Sequence, residues 1–366
     1  MKITVGALRS ALAKAQKIGR SAAVTLQGSG THLTIHAAGQ QGCAKATIAV
    51  EDGAEFVALI DGNRLSAVLG GADAALECTL SQAKEAVRLK FGQANIRFPI
   101  STEAESTLLE ESRWEGAVSV GKKISGAVLK EALDRVTPFA ARNDSRYYLN
   151  GVLMTVRDGC LTLVATDGFR LARLTTSIEV EDAMDSIIPI TIADAMAAII
   201  DGDADVQICT VGENESRGIG FRSNNLEVMC PVIAGAYPKF EKVIPSAASM
   251  AKAVINRKAA LAALEMIAAV ADTKSGVSYI KVAVMEKFFT VTTTDGESRD
   301  MAGLEGPVKV PMELGFQPKL LIPAIAAVRT DNVCLSYTKP DVEIGKVLVR
   351  DAEGDDWSVV VMPSRT

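Results

Sequence analysis

An Ala- and Leu-rich helical stretch occurs three times in this chain, near residues 6–18, 125–139 and 256–271, at intervals of roughly a third of its length. A second short helical pattern follows each one, at Gly62–Leu69, Thr191–Ile200 and Gln317–Val328. Between them the chain reads as short strands bounded by turn residues, among them His32–His36, Ala86–Phe91, Cys160–Ala165, Val206–Val211, Tyr279–Val284, Phe288–Thr293 and Val347–Arg350. The period predicts an α+β protein of three similar domains, each with two helices on β-sheets. The pattern resets near Trp114–Val120, after an acidic stretch from Glu103 to Glu115, and again near Pro245–Lys252. Those resets place the domains at 1–118, 119–247 and 248–366.

With 366 residues and 48% apolar content the chain can bury a large core and is too long for one small domain. Its start, Met1-Lys2-Ile3-Thr4-Val5, has no apolar leader, and no apolar run reaches the roughly 18 residues that a membrane helix needs. Six widely scattered cysteines (Cys43, Cys78, Cys160, Cys209, Cys230, Cys334) form no CxxC pair, which suits reduced core thiols better than disulfides or zinc. These features point to a soluble, cytoplasmic protein.

The net charge of −5 at first argues against a nucleic-acid partner, but no Asp or Glu precedes Glu51, whereas Lys2, Arg9, Lys14, Lys17, Arg20 and Lys45 all do. At about 100° per residue, Leu8, Ala11, Leu12, Ala15 and Ile18 fall on one arc of the first helix and Arg9, Lys14, Lys17 and Arg20 on the other. The second long helix divides similarly, with Val128, Leu129, Ala132, Leu133 and Val136 opposite Lys130, Glu131, Asp134 and Arg135. A basic arc with no acidic residue interspersed is either a solvated face or a phosphate-binding one.

Catalysis finds little support. His32 and His36 share one face of a strand and read as a surface pair, since no acidic or thiol residue lies beside them in sequence. No phosphate-binding loop, GxSxG or HExxH is present, and Asp167 is accounted for as a turn former. A hydrolase on an unrelated β-rich scaffold stays open only as an alternative.

Two segments carry a resemblance. Ser145 to Leu171 reads SRYYLNGVLMTVRDGCLTLVATDGFRL, with turn signals at Asn150-Gly151, Asp158-Gly159 and Asp167-Gly168, and the chain closes on Val359-Val360-Val361-Met362-Pro363. The TDGFRL string and the terminal VMP together resemble the bacterial DNA polymerase III beta subunit family, the sliding clamps. The likeness is strong in the middle third and at the C-terminus, and weak in the first third, where Ile35–Gln40 stands in place of the family's TDLE-like string.

The resemblance implies three domains of one topology, closing as a head-to-tail dimeric ring with helices toward the DNA. It implies a non-catalytic processivity factor for a replicative polymerase, with no cofactor and no metal, placed on DNA by a separate loader. Residues expected to contact DNA are Arg20, Arg142 and Asn143 by resemblance, joined by Lys14 and Lys17 of the basic arc. A cleft for partner peptides is expected from Leu149, Thr166, Gly168, Phe169, Arg170 and Leu171 in the signature stretch. Pro238, Lys242 and Val243 would join it from AYPKFEKVI (Ala236–Ile244), Gln317 and Leu320 from the last helix, and Val360, Val361, Met362, Pro363, Ser364 and Arg365 from the tail. Short aliphatic side chains and Met make an adaptable apolar pocket, and Arg170 can orient an extended peptide. Phe169, Lys242, Leu320 and Ser364 stand where His, Arg, an aromatic and a larger apolar residue are common in the family, implying a shifted partner preference. The dimer contact is expected at Phe98, Ile100 and Val270. A non-encircling adaptor of the same fold is the second reading, raised by the divergent first third.

Overall fold

The computed structural model describes residues 1–101, 117–178, 183–212, 217–245, 250–274, 277–338, 345–354 and 356–364. The acidic stretch Glu103–Glu115 and the tail residue Arg365 lie outside them. Six α-helices are present among the described residues: α1 Val5–Gly19, α2 Gly62–Gly70, α3 Gly126–Val136, α4 Ile190–Ile199, α5 Arg257–Val270 and α6 Pro318–Ala326. Two fall in each third of the chain; the rest is mostly antiparallel sheet. No described helix is long and apolar enough to cross a membrane.

The chain forms two compact units. In the first (Met1–Leu133, Val156–Gly159 and Ile178–Ala234), a four-stranded sheet runs in the order Lys2–Thr4, Glu77–Ala83, Ala86–Phe91, Ala94–Pro99. A larger sheet of the same unit joins strands far apart in sequence: Leu226–Pro231 lies beside Gly42–Ala49, with Leu226 opposite Ala46 and Met229 opposite Cys43. α1 packs on the strands His32–Gly39 and Gly42–Ala49, burying Val5, Leu8, Ala11, Leu12, Ala15 and Ile18, the arc its periodicity marks out. Full burial of one such Leu or Ile contributes about 1.5–3 kcal/mol. Thr4 starts the helix by accepting from the Ala7 amide at 3.2 Å.

In the second unit (Asp134–Thr155, Cys160–Ser177 and Gly235–Thr366), Arg170–Ser177 pairs on one side with Cys160–Thr166 and on the other with Trp357–Val361. Beyond Trp357–Val361 follow Val347–Asp351, Asn332–Thr338 and Met250–Asn256. A separate sheet runs in the order Arg299–Gly303, Phe288–Thr293, Ile280–Met285, Met312–Phe316, with α5 packed on its first two strands and against α6.

Strands Ala86–Phe91 and Phe288–Thr293 have the boundaries the alternation predicts. The helical pattern at 125–139 instead ends as α-helix at Val136 and continues as a 3-10 turn, Thr137–Phe139, because Pro138 has no amide to donate and its ring obstructs the turn before it. None of the six cysteines is in a disulfide; five are buried and Cys160 is partly so.

Three polar residues expected on solvent faces are turned inward. Arg9 donates to the carbonyls of Leu69 and Ala72, closing the end of α2. Arg135 is 6% exposed, paired with Asp351 at 2.5 Å, with its guanidinium 4.2 Å from the Trp357 ring centroid. His36 is 2% exposed and bonds Gln27 at 3.0 Å while His32 stays at the surface, so the pair is not a surface pair. Burial first, then the neighbouring Lys45 charge, pull the His36 pKa down from 6.5 to about 4, leaving the ring neutral at physiological pH.

Candidate functional site

The Thr166–Arg170 turn is built by its own side chains. Asp167 accepts from the amides of Phe169 (2.9 Å) and Arg170 (3.0 Å), and the Thr166 hydroxyl accepts from the Gly168 amide at 3.0 Å and donates to the Arg170 carbonyl at 2.7 Å. Asp167 is therefore committed to the turn, as its sequence context suggests. Gly168 sits at φ +88, a conformation that strains any other residue, and an added Cβ would lie 3.0 Å from the Arg146 guanidinium. The backbone angle calls for glycine, and the Arg146 tip would have to shift slightly for any larger residue.

Antiparallel pairing brings the signature stretch to the tail. Arg170 lies opposite Val361 and Leu171 opposite Val360, and the Met362 amide continues the association by donating to the Phe169 carbonyl at 3.0 Å. The Ser364 amide then donates to the carbonyl of Gly315 at 2.8 Å, within the strand Met312–Phe316 that leads into α6. Val360 is also the register partner of Leu348, and these two with Met250 form an apolar cluster against which Val243 and Ile244 pack. Tyr237 ties the segment Ala236–Ile244 to the sheet by donating to the Val164 carbonyl at 3.4 Å. Helix α6 packs on the strands Val347–Asp351 and Trp357–Val361, with Leu320 buried and Gln317 at its N-cap partly exposed.

Of the residues expected at the cleft, Leu149, Thr166, Leu171, Val360 and Val361 are buried, and Met362, Pro363, Ser364 and Val243 are half-buried. Phe169 is 58% exposed, and Pro238 and Lys242 are also exposed. Arg170 is held from two sides: Nε donates to Asp167 at 3.0 Å, Nη2 donates to the Pro138 carbonyl at 3.2 Å, and the guanidinium stands 4.9 Å from the Phe139 ring centroid. Its Nη1 is buried without a partner among the described residues, which costs about 1–3 kcal/mol until an acceptor meets it. An apolar floor, a half-buried Met and one unsatisfied guanidinium nitrogen suit an extended peptide with apolar anchors and backbone carbonyls.

Ile244, Met250 and Leu348 are contributors that the sequence alone does not mark; the register of the Val347–Asp351 hairpin against Trp357–Val361 would have exposed Leu348. Pro138 and Phe139 escape sequence reasoning too, since nothing local says that Arg170 leans on them.

The expected DNA contacts lie at the surface. On α1, Lys17 and Arg20 are exposed and Lys14 half-buried. Arg20 caps the helix in the left-handed region at φ 48, donating its amide to the Gln16 carbonyl at 2.8 Å. Arg142 and Asn143 are exposed, Asn143 at φ 62. The turn that follows is closed by Asp144 and Asn150, each bonding the other's partner group: the Asp144 amide donates to the Asn150 side chain at 2.9 Å, and the Asn150 side chain donates to the Asp144 carbonyl at 2.8 Å. Hydrogen bonds from Arg146 hold the Asp144 pKa down to about 2.

Phe98 is 3% exposed and paired opposite Val87 within its own sheet, whereas Ile100 is half-buried and Val270 is 59% exposed at the end of α5. No group of three or more His, Cys, Asp or Glu is placed to hold a metal among the described residues.

Comparison with known proteins finds the same fold. The crystal structure of the DNA polymerase III subunit beta from Pseudomonas aeruginosa superimposes with a TM-score of 0.85 over 100% of both chains at 20% identity, and a second sliding clamp structure from that organism gives 0.84. The fold is therefore that of a sliding clamp. Residues 123–239 match the family model for the DNA polymerase III beta subunit, central domain. The beta sliding clamp of P. aeruginosa is 27% identical over 69% of this chain and 67% of its own length, and that of Escherichia coli 23% identical over 77% and 75%. In sequence the chain is thus similar to the bacterial DNA polymerase III beta subunits, most clearly over residues 123–239.

Proposed function

We propose that this chain is a processivity factor that encircles duplex DNA as a head-to-tail dimeric ring of three domains per protomer, 1–118, 119–247 and 248–366. It tethers the replicative polymerase, and receives its loader, through short peptides seated on the Leu171–Val360–Leu348 floor. Similarity to the sliding clamps supports a role as a DNA clamp in replication, and the observation that carries the peptide reading is the pairing of the TDGFRL strand with the tail strand. A ring that slides needs phosphate attraction without base contacts, which Lys14, Lys17, Arg20, Arg142 and Asn143 supply. The mildly acidic total keeps the rest of the surface from competing for DNA. The role is non-catalytic, uses no cofactor and belongs in the cytoplasm.

Topology tests it. A loaded ring stays on a nicked circle and leaves a linear duplex by its ends; equal retention on both substrates, or a marked sequence preference, overturns the encircling model. The non-encircling adaptor is separated by mass, since closure requires a dimer.

A further inference from the structure

Between the end of α3 and the expected DNA loop, the chain contacts the hairpin of the last two strands through Arg135 and the expected cleft residues through Pro138, Phe139 and Ala141. Arg135 accepts the Trp357 indole N–H on its carbonyl at 3.3 Å and pairs with Asp351, so it holds the two strands together at the turn of the hairpin whose second strand runs on to Met362. Pro138 accepts from Arg170, and the fully buried Phe139 ring lies beneath the Arg170 guanidinium. The Ala141 amide is shared between the carbonyls of Leu149 (3.1 Å) and Thr166 (3.3 Å), both cleft residues. Immediately after come Arg142 and Asn143, exposed to solvent.

We propose that residues 135–143 form a strap linking the two sites, in which Pro138 and Phe139 are positioning residues for Arg170 and phosphate bound at Arg142 and Asn143 tightens the peptide in the cleft. This rests on the DNA and peptide readings given above. The sign follows from the bonds. DNA fixes the far end of the strap, and the conformation so fixed is the one in which Ala141 holds Leu149 and Thr166 and Pro138 holds Arg170. Both ligands favour one arrangement of the same segment, so their coupling is positive and, as an equilibrium property, reciprocal.

The test uses a fluorescent peptide carrying Gln and a Leu/Phe pair, titrated into the full-length protein alone and with a saturating short blunt duplex at low salt. The duplex lowers the peptide Kd about fivefold, and saturating peptide lowers the duplex Kd by the same factor. Phe139→Leu, which keeps the volume apolar but removes the ring beneath Arg170, brings that ratio to one; Phe139→Tyr, which keeps the ring, restores it. A residue that served stability alone would change the melting temperature of Phe139→Leu and leave the ratio untouched. Equal peptide affinity with and without duplex in the wild type, or an unchanged ratio in Phe139→Leu, overturns the strap. Absence of peptide binding in both arms overturns the cleft reading and the strap with it, and peptide binding without any duplex binding overturns the DNA reading in the same way.

Discussion

The amide of Met362 donates to the carbonyl of Phe169 at 3.0 Å, fastening the end of the last strand to the tip of a turn formed in the middle of the chain. Two kinds of residue meet there, buried ones such as Leu171 and Val360 and half-buried ones such as Met362 and Pro363. Met362→Ala should weaken a labelled polymerase-tail peptide by about 2 kcal/mol or more, roughly thirtyfold, by fluorescence polarisation, with little change in melting temperature. Leu171→Ala, at a site 4% exposed, should instead lower folding stability by about 2–5 kcal/mol in urea unfolding. Unchanged peptide binding in Met362→Ala would move the docking site elsewhere.

Of the basic residues on α1 and its C-cap, Lys17 and Arg20 are exposed whereas Arg9 is turned inward. Lys17→Ala and Arg20→Ala should each reduce the slope of log K against log salt for duplex binding by about 0.9. Arg9→Ala should leave that slope unchanged and lower stability by about 1–3 kcal/mol, because its guanidinium closes the carbonyl end of α2. Salt titrations by anisotropy, with urea melts alongside, distinguish the two.

His36 gives the fold a pH dependence of known sign. Its folded pKa, about 4, lies below the unfolded value of 6.5, so across that window the unfolded chain binds the extra proton and stability falls as the pH falls. The loss by pH 4 amounts to about 3 kcal/mol relative to pH 7.5, since each pH unit crossed between the two values removes about 1.36 kcal/mol. Urea unfolding at both pH values should show the drop in the wild type and a much smaller one in His36→Gln, which keeps a hydrogen-bonding group beside Gln27.

The expected dimer contact contains one residue that cannot report on it cleanly. Charging Phe98 places an ion inside the protomer's own sheet, so Phe98→Asp should unfold the first unit as well as affect association. Ile100→Asp and Val270→Asp, at more accessible positions, should yield folded monomers by light scattering with unchanged far-ultraviolet circular dichroism. Dimers that survive both substitutions would place the protomer contact elsewhere.

Helix α1 was legible in the sequence because its apolar positions, Leu8, Leu12 and Ile18 among them, recur at the helical period, and strands such as Phe288–Thr293 because alternation has a period of two. The TDGFRL turn was legible for a local reason too: Asp167 and Thr166 bond amides within three residues, and Gly168 meets the backbone demand. The association of that turn with the VMP tail came from resemblance, since no local rule pairs strands from distant parts of a chain. Tertiary structure alone decided that Arg9, Arg135 and His36 are turned inward while Lys17 and Arg20 are not, although both arginine-bearing helices show the same two-sided pattern. It also decided that Leu348 packs with Val360 and Met250 and that Phe139 lies against Arg170. The reason is physical: periodicity is a property of one segment and states which of its faces is apolar, whereas the fate of a polar side chain depends on which distant carbonyl, carboxylate or ring is brought against it.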